Sequence, residues 1–390
     1  MKTDLADGQD QRRESYLEEA SHRAEGQLES TETPGDLPLP SMPLAQPLQL
    51  AQASKDAAER ESPEQKPAEV NPATPRPLSP DEIVAAIKLR AQRELAKRRA
   101  RKWSLSTVLT ETVGNESNPQ LQKVHKSALY MEEYLSTTFG YKVTPKLTWQ
   151  AGYNLDALNY DEYTDGSTLT DTLLTKLIYR PLKTIRLEGH YTFNDTTYPY
   201  DAGSSTWDQK VHVRLRQSFW NHYYHYVGWT YMNKQYKDKG KRFGSNERHA
   251  GELRKDNRHT GIYEIGGTFA EANTLKVKQE FYFNDSNDIY QDYSDTQDYK
   301  VKVTLARDWT KRWSSSSSFT YERKQYAHQN VSGPEVARKD STNTYDLGLT
   351  YKFNDNVDLT YGWKYQKNLS NDRSQDYQNV TNSLALTAAF

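Results

Sequence analysis

Val380-Thr381-Asn382-Ser383-Leu384-Ala385-Leu386-Thr387-Ala388-Ala389-Phe390 closes the chain, and the fold turns on how this stretch is read. Successive side chains of an extended strand point to opposite faces, so Val380, Asn382, Leu384, Leu386, Ala388 and Phe390 share one face. Thr381, Ser383, Ala385, Thr387 and Ala389 share the other. A terminal strand left as a free edge offers unpaired N–H and C=O groups to any other chain, whereas pairing with the first strand of the same sheet removes the edge by closing a barrel.

Upstream residues supply the partners. From Trp103 onward, short segments alternate apolar and polar residues, with the apolar set on odd numbers until the final strand. Trp103, Leu105, Thr107, Leu109 and Val113 open the series. Leu129, Met131, Leu135, Phe139 and Tyr141 follow, and the pattern repeats through Val357, Leu359, Tyr361, Trp363 and Tyr365 to the terminal strand, fourteen segments in all. The connections alternate too. Short ones fall at Thr144-Pro145, Arg180 to Lys183, Trp220 to His222, Ala270 to Asn273, Thr310 to Arg312 and Asn354 to Asn356. Long polar ones fall at about 115–126, 158–168, 194–206, 234–259, 284–298, 325–342 and 368–379. An even strand number, ten-residue strands and alternating short turns and long loops predict an all-β fold, a 14-stranded antiparallel transmembrane β-barrel over residues 103–390. A soluble sandwich also alternates, but it does not require every outward position to be apolar or aromatic.

Composition agrees. The 390 residues carry a formal net charge of -1, no cysteine and 12% aromatics, with a mean hydropathy of -0.98. Without cysteine there are no disulfides, zinc–thiolate sites or thiol nucleophiles. The low hydropathy excludes a helical inner-membrane protein, but not a barrel in which only alternate residues meet lipid. Trp103, Trp149, Trp220, Trp309 and Trp313 sit near the short turns and, with Phe390, are the expected membrane-interface residues. The polar exceptions on the outward face, Glu111, Glu133, Asp171, Gln209, His225, Arg307 and Arg323, fall mostly near strand ends. Glu111 and Glu133 would lie side by side on the first hairpin, where such a pair suggests a protein contact or a bound cation.

The N-terminal part is different. Residues 1–78 are rich in Pro, Glu, Gln, Ala and Ser and hold one aromatic, Tyr16, too little apolar surface to offset chain entropy, so a disordered Pro-rich extension is expected. Met1 to Asp10 lacks a basic stretch followed by an apolar one. Leu37 to Ser54 ends in a peptidase-like Ala51-Gln52-Ala53-Ser54 but is crowded with prolines, so an export signal is expected to lie outside the sequence given. Ser79, Pro80 and Glu82 form a helix start, and Ile83, Ile87, Ala91 and Leu95 recur every fourth residue, predicting a short basic amphipathic helix over 79–102. Its end carries Lys88, Arg90, Arg93, Lys97, Arg98, Arg99, Arg101 and Lys102, more cations than a helix dipole needs. The readings are a solvated charged helix, a contact with a periplasmic partner or an acidic surface, or a helix that plugs a pore. Nucleic acid is not an expected partner, because the remaining chain is not basic.

A C-terminal strand ending in Phe390, preceded by alternating hydrophobic residues, resembles the recognition signal of Gram-negative outer-membrane β-barrel proteins. That resemblance implies insertion by the barrel-assembly machinery through Phe390, contact with outer-membrane lipid and lipopolysaccharide, and a periplasmic N-terminal extension. Gly114-Asn115-Glu116-Ser117-Asn118-Pro119 resembles the G-x-D-S-N-P turn of barrels associated with exopolysaccharide export, with Glu116 in place of the aspartate. A fourteen-strand barrel behind an extension is also similar to surface-lipoprotein assembly modifiers, although their helical-repeat domain has no counterpart here.

Even-numbered positions should face the lumen. Lys210, His212, Arg214 and Arg216, with Lys276, Lys278, Lys300 and Lys302, make a basic excess there, alongside Asp208 and Glu280. Charge rings of opposite sign brace a barrel wall, and an excess of one sign sets pore selectivity, here for anionic or carbohydrate solutes. Asp285, Asp288, Asp292, Asp295 and Asp298, with Tyr290 and Tyr293, predict an acidic, tyrosine-rich loop rim able to bind cations, lipopolysaccharide through a bridging metal, or sugars. His190 and His212 could meet on neighbouring strands, with Ser318 or Asp208 recruited, but no glycine-framed serine, metal-spaced histidines or phosphate loop accompany them. No enzyme, metal or cofactor is expected. The function expected is a channel or export component for polar material, anionic carbohydrate included. Its alternatives are an assembly scaffold that binds partners through loops and extension, and an outer-membrane hydrolase.

Overall fold

A computed structural model describes residues 102–390 apart from 122–125, 221, 244–246, 271, 288–294 and 332–335. The extension over 1–78 and the basic helix over 79–102 therefore lie outside the described residues, save Lys102.

Fourteen strands follow one another in chain order: β1 (Trp103–Glu116), β2 (Ala128–Thr144), β3 (Leu147–Tyr160), β4 (Thr168–Leu182), β5 (Ile185–Thr197), β6 (Thr206–Phe219) and β7 (Tyr223–Phe243). Then come β8 (Glu247–Phe269), β9 (Asn273–Ser286), β10 (Thr296–Asp308), β11 (Trp313–Asn330), β12 (Ala337–Lys352), β13 (Val357–Ser370) and β14 (Tyr377–Ala389). Each strand pairs antiparallel with its sequence neighbours, and β14 pairs with β1, so the sheet is a closed barrel. The expected closing seam is present. Leu109 lies opposite Ala388, Glu111 opposite Leu386 and Glu116 opposite Thr381. Below Val108 the chain terminus finishes the seam, where Phe390 donates its N–H to the Thr107 carbonyl at 2.8 Å and accepts from the Thr107 N–H at 3.2 Å.

Closure determines where side chains go. Outward positions are exposed and apolar: Val113, Leu129, Leu173, Val213, Val227 and Leu347 each keep half or more of their surface accessible. Inward positions are mostly polar and buried, among them Thr110, Thr112, Gln150, Thr170, Lys176 and Glu188. The molecule is thus inside out relative to a soluble domain, whose apolar side chains would face inward. Tyrosines are the main large inward residues, and two of them occupy room left by a glycine across the ladder. A Cβ on Gly266 would sit 2.7 Å from the Tyr224 hydroxyl, and one on Gly114 would sit 2.5 Å from the Tyr130 ring. In both cases the tyrosine is the direct cross-strand partner, so its ring covers the glycine backbone.

The strands are longer than the ten residues expected, and the long connections are correspondingly shorter. The largest difference is at 234–259, read from its polarity as a loop. It is instead the far end of the β7–β8 hairpin, with strands of 21 and 23 residues. Beyond the membrane a strand needs no apolar face, so polar composition there marks exposure to water rather than a break in the sheet.

Candidate functional site

The inner face of β4, β5 and β6 carries a dense cluster of charged side chains. Glu188 is almost fully buried and gathers basic groups from three strands: Lys176 Nζ at 3.6 Å, Arg186, Arg214, and His190 Nε2 at 3.1 Å. Arg186 and His190 flank Glu188 two residues to either side on β5, while register brings the other two: β5–β6 pairing places Arg214 opposite Glu188, and β4–β5 pairing places Lys176 opposite His190. One carboxylate among two guanidiniums, an ammonium and an imidazole leaves a local excess of positive charge. A buried carboxylate is tolerable only with such partners.

The basic surface continues around the wall. The Arg216 guanidinium lies 3.9 Å from the centre of the Tyr224 ring, and that tyrosine donates its hydroxyl to Glu264 at 2.6 Å. Lys278 pairs with Glu280 at 2.8 Å, with Lys300 at 4.0 Å from the other carboxylate oxygen. Lys276 and Lys302 complete the patch, with Lys302 directly opposite Lys278. Lys210 lies 3.7 Å from Asp208, which also accepts from Asn194 at 2.9 Å. All the expected pore-lining residues, Lys210, His212, Arg214, Arg216, Lys276, Lys278, Lys300, Lys302, Glu280 and Asp208, are at inward register positions. Across the barrel, the inner face of β14, β1, β2 and β3 is hydroxyl- and amide-rich. It carries Glu116, Glu132 and Asp156, with Lys142 beside the short turn as its one basic residue. The lumen is therefore polarised from a basic wall to a weakly acidic one.

His190 and His212 do meet, as cross-strand partners with ring centres 5.2 Å apart. His212 Nδ1 lies 2.6 Å from the Thr230 hydroxyl. Ser318 is on β11 and donates to Asp346 at 2.7 Å, so it does not join the histidines. Asp208 is four residues along β6 from His212 and is held by Asn194. No group of three or more metal-ligating side chains occurs among the described residues.

The loop rim divides. Asp288, Tyr290, Asp292 and Tyr293 lie outside the described residues. Asp285 is exposed on the outward face of β9, and Asp295 accepts from the Ser286 N–H at 2.7 Å, closing the turn. Asp298 is not on the rim at all. It points inward from β10, 1% exposed, opposite Tyr282 and Lys324. Its even number already assigned it to the inner face, and the acidity of its neighbours masked that.

The turn after β1 has a definite role in the geometry. Asn118 donates its backbone N–H to Asn379 Oδ1 at 2.9 Å and its side-chain amide to the Gln378 carbonyl at 2.9 Å. Val380 donates to the Ser117 hydroxyl at 2.7 Å, and Glu116 accepts from Tyr160 and Thr381 at 2.9 and 3.2 Å. Gly114 to Pro119 thus pins the first hairpin to the closing strand at the long-loop end, a role that spacing along the chain does not reveal.

The tryptophans expected at a membrane interface are exposed near the short turns. Trp103, Trp149, Trp309 and Trp313 are exposed at or beside the short-turn end, Trp220 is 81% exposed at a turn with positive φ, and Phe390 is exposed beside β1. Towards the other end a second set of outward aromatics includes Trp229 with Tyr231 and Phe281 with Phe283. Glu111 and Glu133 are direct cross-strand partners, both exposed, with Val113 and Met131 on one side and Leu109 and Leu135 on the other.

A closed sheet with an apolar outer belt, aromatic girdles and a polar interior satisfies every backbone group inside lipid, which an open sheet cannot do. The chain is a closed 14-stranded antiparallel β-barrel with an apolar outer face and a polar interior. No family model matches the sequence, and no curated protein matches it. Solved structures similar to it include OmpT of Vibrio cholerae, at 9% identity over 74% of this chain and 97% of that one with a TM-score of 0.48. Others are the outer membrane channel DcaP of Acinetobacter baumannii (9%, 74% and 97%, TM-score 0.46) and the anion-selective porin from Comamonas acidovorans (9%, 74% and 99%, TM-score 0.44).

Proposed function

We propose that the barrel is a channel or export component for polar, anionic solutes, acidic carbohydrate among them, lying in the outer membrane with its short turns and N-terminal extension on the periplasmic side. The carrying observation is the cationic wall centred on Lys176, Arg186 and Arg214 around the single carboxylate of Glu188. A low-dielectric wall of one sign concentrates ions of the other sign and sets selectivity. Hydroxyl and amide groups such as Thr110, Thr112, Ser136 and Gln150 on the facing wall suit a hydroxylated solute. Planar-bilayer recordings under a KCl gradient test the reading. It requires conductance with a reversal potential of anion-preferring sign, reduced in Arg214→Gln. Cation preference, or silence in every variant, refutes it.

A second reading, a scaffold for surface or assembly partners, has one observation in its favour. The β7–β8 hairpin extends well past its neighbours, and extended strands present backbone that a partner can pair with. Pull-down by the full chain but not by a variant lacking 238–252, with conductance unchanged, would favour it.

A further inference from the structure

We infer that the closing seam between β1 and β14 is a lateral portal. It opens in its short-turn half and passes an amphiphile whose hydrogen-bond-donating head group travels in the lumen while its tail stays in lipid. The portal goes beyond the channel reading and stands on the ladder itself.

The seam is poorly filled. Facing the lumen, Val108 meets Ala389, Thr110 meets Thr387, Thr112 meets Ala385 and Gly114 meets Ser383. Facing lipid, Leu109 meets Ala388 and Glu111 meets Leu386, so Val113 with Leu384 is the one pair of large apolar side chains among these described partners. The flanking ladders are filled on the lipid side, by Leu105–Phe139, Leu109–Leu135 and Val113–Met131 between β1 and β2, and by Leu359–Leu386 and Tyr361–Leu384 between β13 and β14. Cross-strand pairs are the unit of sheet stabilisation, so the seam has the least side-chain hold of the three. What holds it is gathered at the long-loop end, where Glu116, Ser117 and Asn118 are tied to Thr381, Val380 and Asn379. That latch is the hinge, and the strands part below it, over Val108 to Thr112.

The two faces of the parting strands define the cargo. Inside, the hydroxyls of Thr110, Thr112 and Thr387 line the gap. Outside, Glu111 and its cross-strand partner Glu133 stand in the apolar belt, between Leu109 with Leu135 and Val113 with Met131. Charge on a lipid-facing surface is costly, and least so where a polar group comes to meet it. An ionised carboxylate only accepts hydrogen bonds. At the lipid side of an opening seam, the pair therefore suits a head group that donates, such as the hydroxyls of a sugar, and disfavours one that is itself anionic.

Register supplies an internal control. In an antiparallel ladder the N–H and C=O of one residue point to the same neighbouring strand. Thr107 and Phe390 exchange both bonds, so odd residues of β1 face β14 and even ones face β2. Ala389 donates to the Asn356 carbonyl, so even residues of β14 face β1 and odd ones face β13. With the full chain in lipid nanodiscs, amide hydrogen exchange should be about tenfold faster at Leu109, Glu111, Leu386 and Ala388 than at Thr110, Thr112, Ala385 and Thr387. The chain has no cysteine, so a disulfide can then lock the seam. Thr110 and Thr387, with hydroxyls 3.2 Å apart, are the sites for it, and Thr350 and Thr360, 2.9 Å apart across β12 and β13, take a control disulfide. In proteoliposomes the protein should move an acyl-labelled glucosylceramide between leaflets and move labelled phosphatidic acid much more slowly. Oxidation of Thr110→Cys with Thr387→Cys should bring the movement down to the protein-free rate, reduction of the same sample should restore it, and oxidation of Thr350→Cys with Thr360→Cys should leave it unchanged. Equal exchange on the two sides of β1 and β14, movement that survives the seam disulfide, loss under the control disulfide as well, or phosphatidic acid moving as fast would each overturn the proposal. Bilayer recordings keep it apart from the channel reading. Seam-dependent lipid movement without conductance upholds the portal while the channel reading fails, and conductance without lipid movement overturns the portal alone.

Discussion

Replacing Asn379 with alanine is expected to weaken the closing seam, by an amount that follows from its contacts. Asn379 is buried on β14, and its Oδ1 accepts from the Asn118 N–H at 2.9 Å and the Ser117 hydroxyl at 3.4 Å. Asn118 is 0% exposed, so its N–H cannot turn to water when the acceptor is removed. An orphaned buried donor costs about 1–3 kcal/mol. Asn118→Ala is a calibrating variant. It removes the amide donated to the Gln378 carbonyl, but Gln378 is exposed and its carbonyl can be hydrated, so the cost is about 0.5–1.5 kcal/mol. Both variants are read from the temperature at which the folded barrel loses its compact mobility on SDS gels, and from urea unfolding in lipid vesicles followed by tryptophan fluorescence. The order expected is wild type, then Asn118→Ala, then Asn379→Ala. If Asn379→Ala unfolds with the wild type, or if the two variants change places, Gly114 to Pro119 is not the latch of this seam.

Two further outcomes test the barrel. Gly266→Ala should cost about 1–3 kcal/mol, because its Cβ meets a Tyr224 ring already held by Glu264 and Arg216, while Gly261→Ala, whose Cβ meets only the Phe281 carbonyl at 3.9 Å, should be close to neutral in the same urea assay. Val213→Arg, in mid-strand on the apolar belt, should cost about 2–4 kcal/mol in vesicles and Trp220→Arg, at the short-turn end, about 0–1. Equal costs would place the lipid boundary elsewhere.

Alternation made the barrel legible before any coordinates. Because a strand's side chains repeat every two residues, listing the apolar positions from Trp103 to Phe390 gave each strand an outer and an inner face and put Lys210, Arg214, Arg216, Lys276, Lys278, Lys300 and Lys302 on the inner one. The strand count followed from the turns. Strand ends were less legible, as the 234–259 stretch shows, since polar residues continue a hairpin in water as readily as they interrupt one. Asp298 was misplaced for the same reason, its acidic neighbours outweighing its parity.

What the sequence determined by itself was the face of each side chain, the number and order of strands and the antiparallel closure. The tertiary structure decided which residues meet. Register between neighbouring strands set Glu188 between Lys176 and Arg214, and only closure could set Asn118 against Asn379 across more than 260 residues of chain. A local pattern carries the side a residue faces, whereas its neighbour across the ladder is a property of the closed sheet.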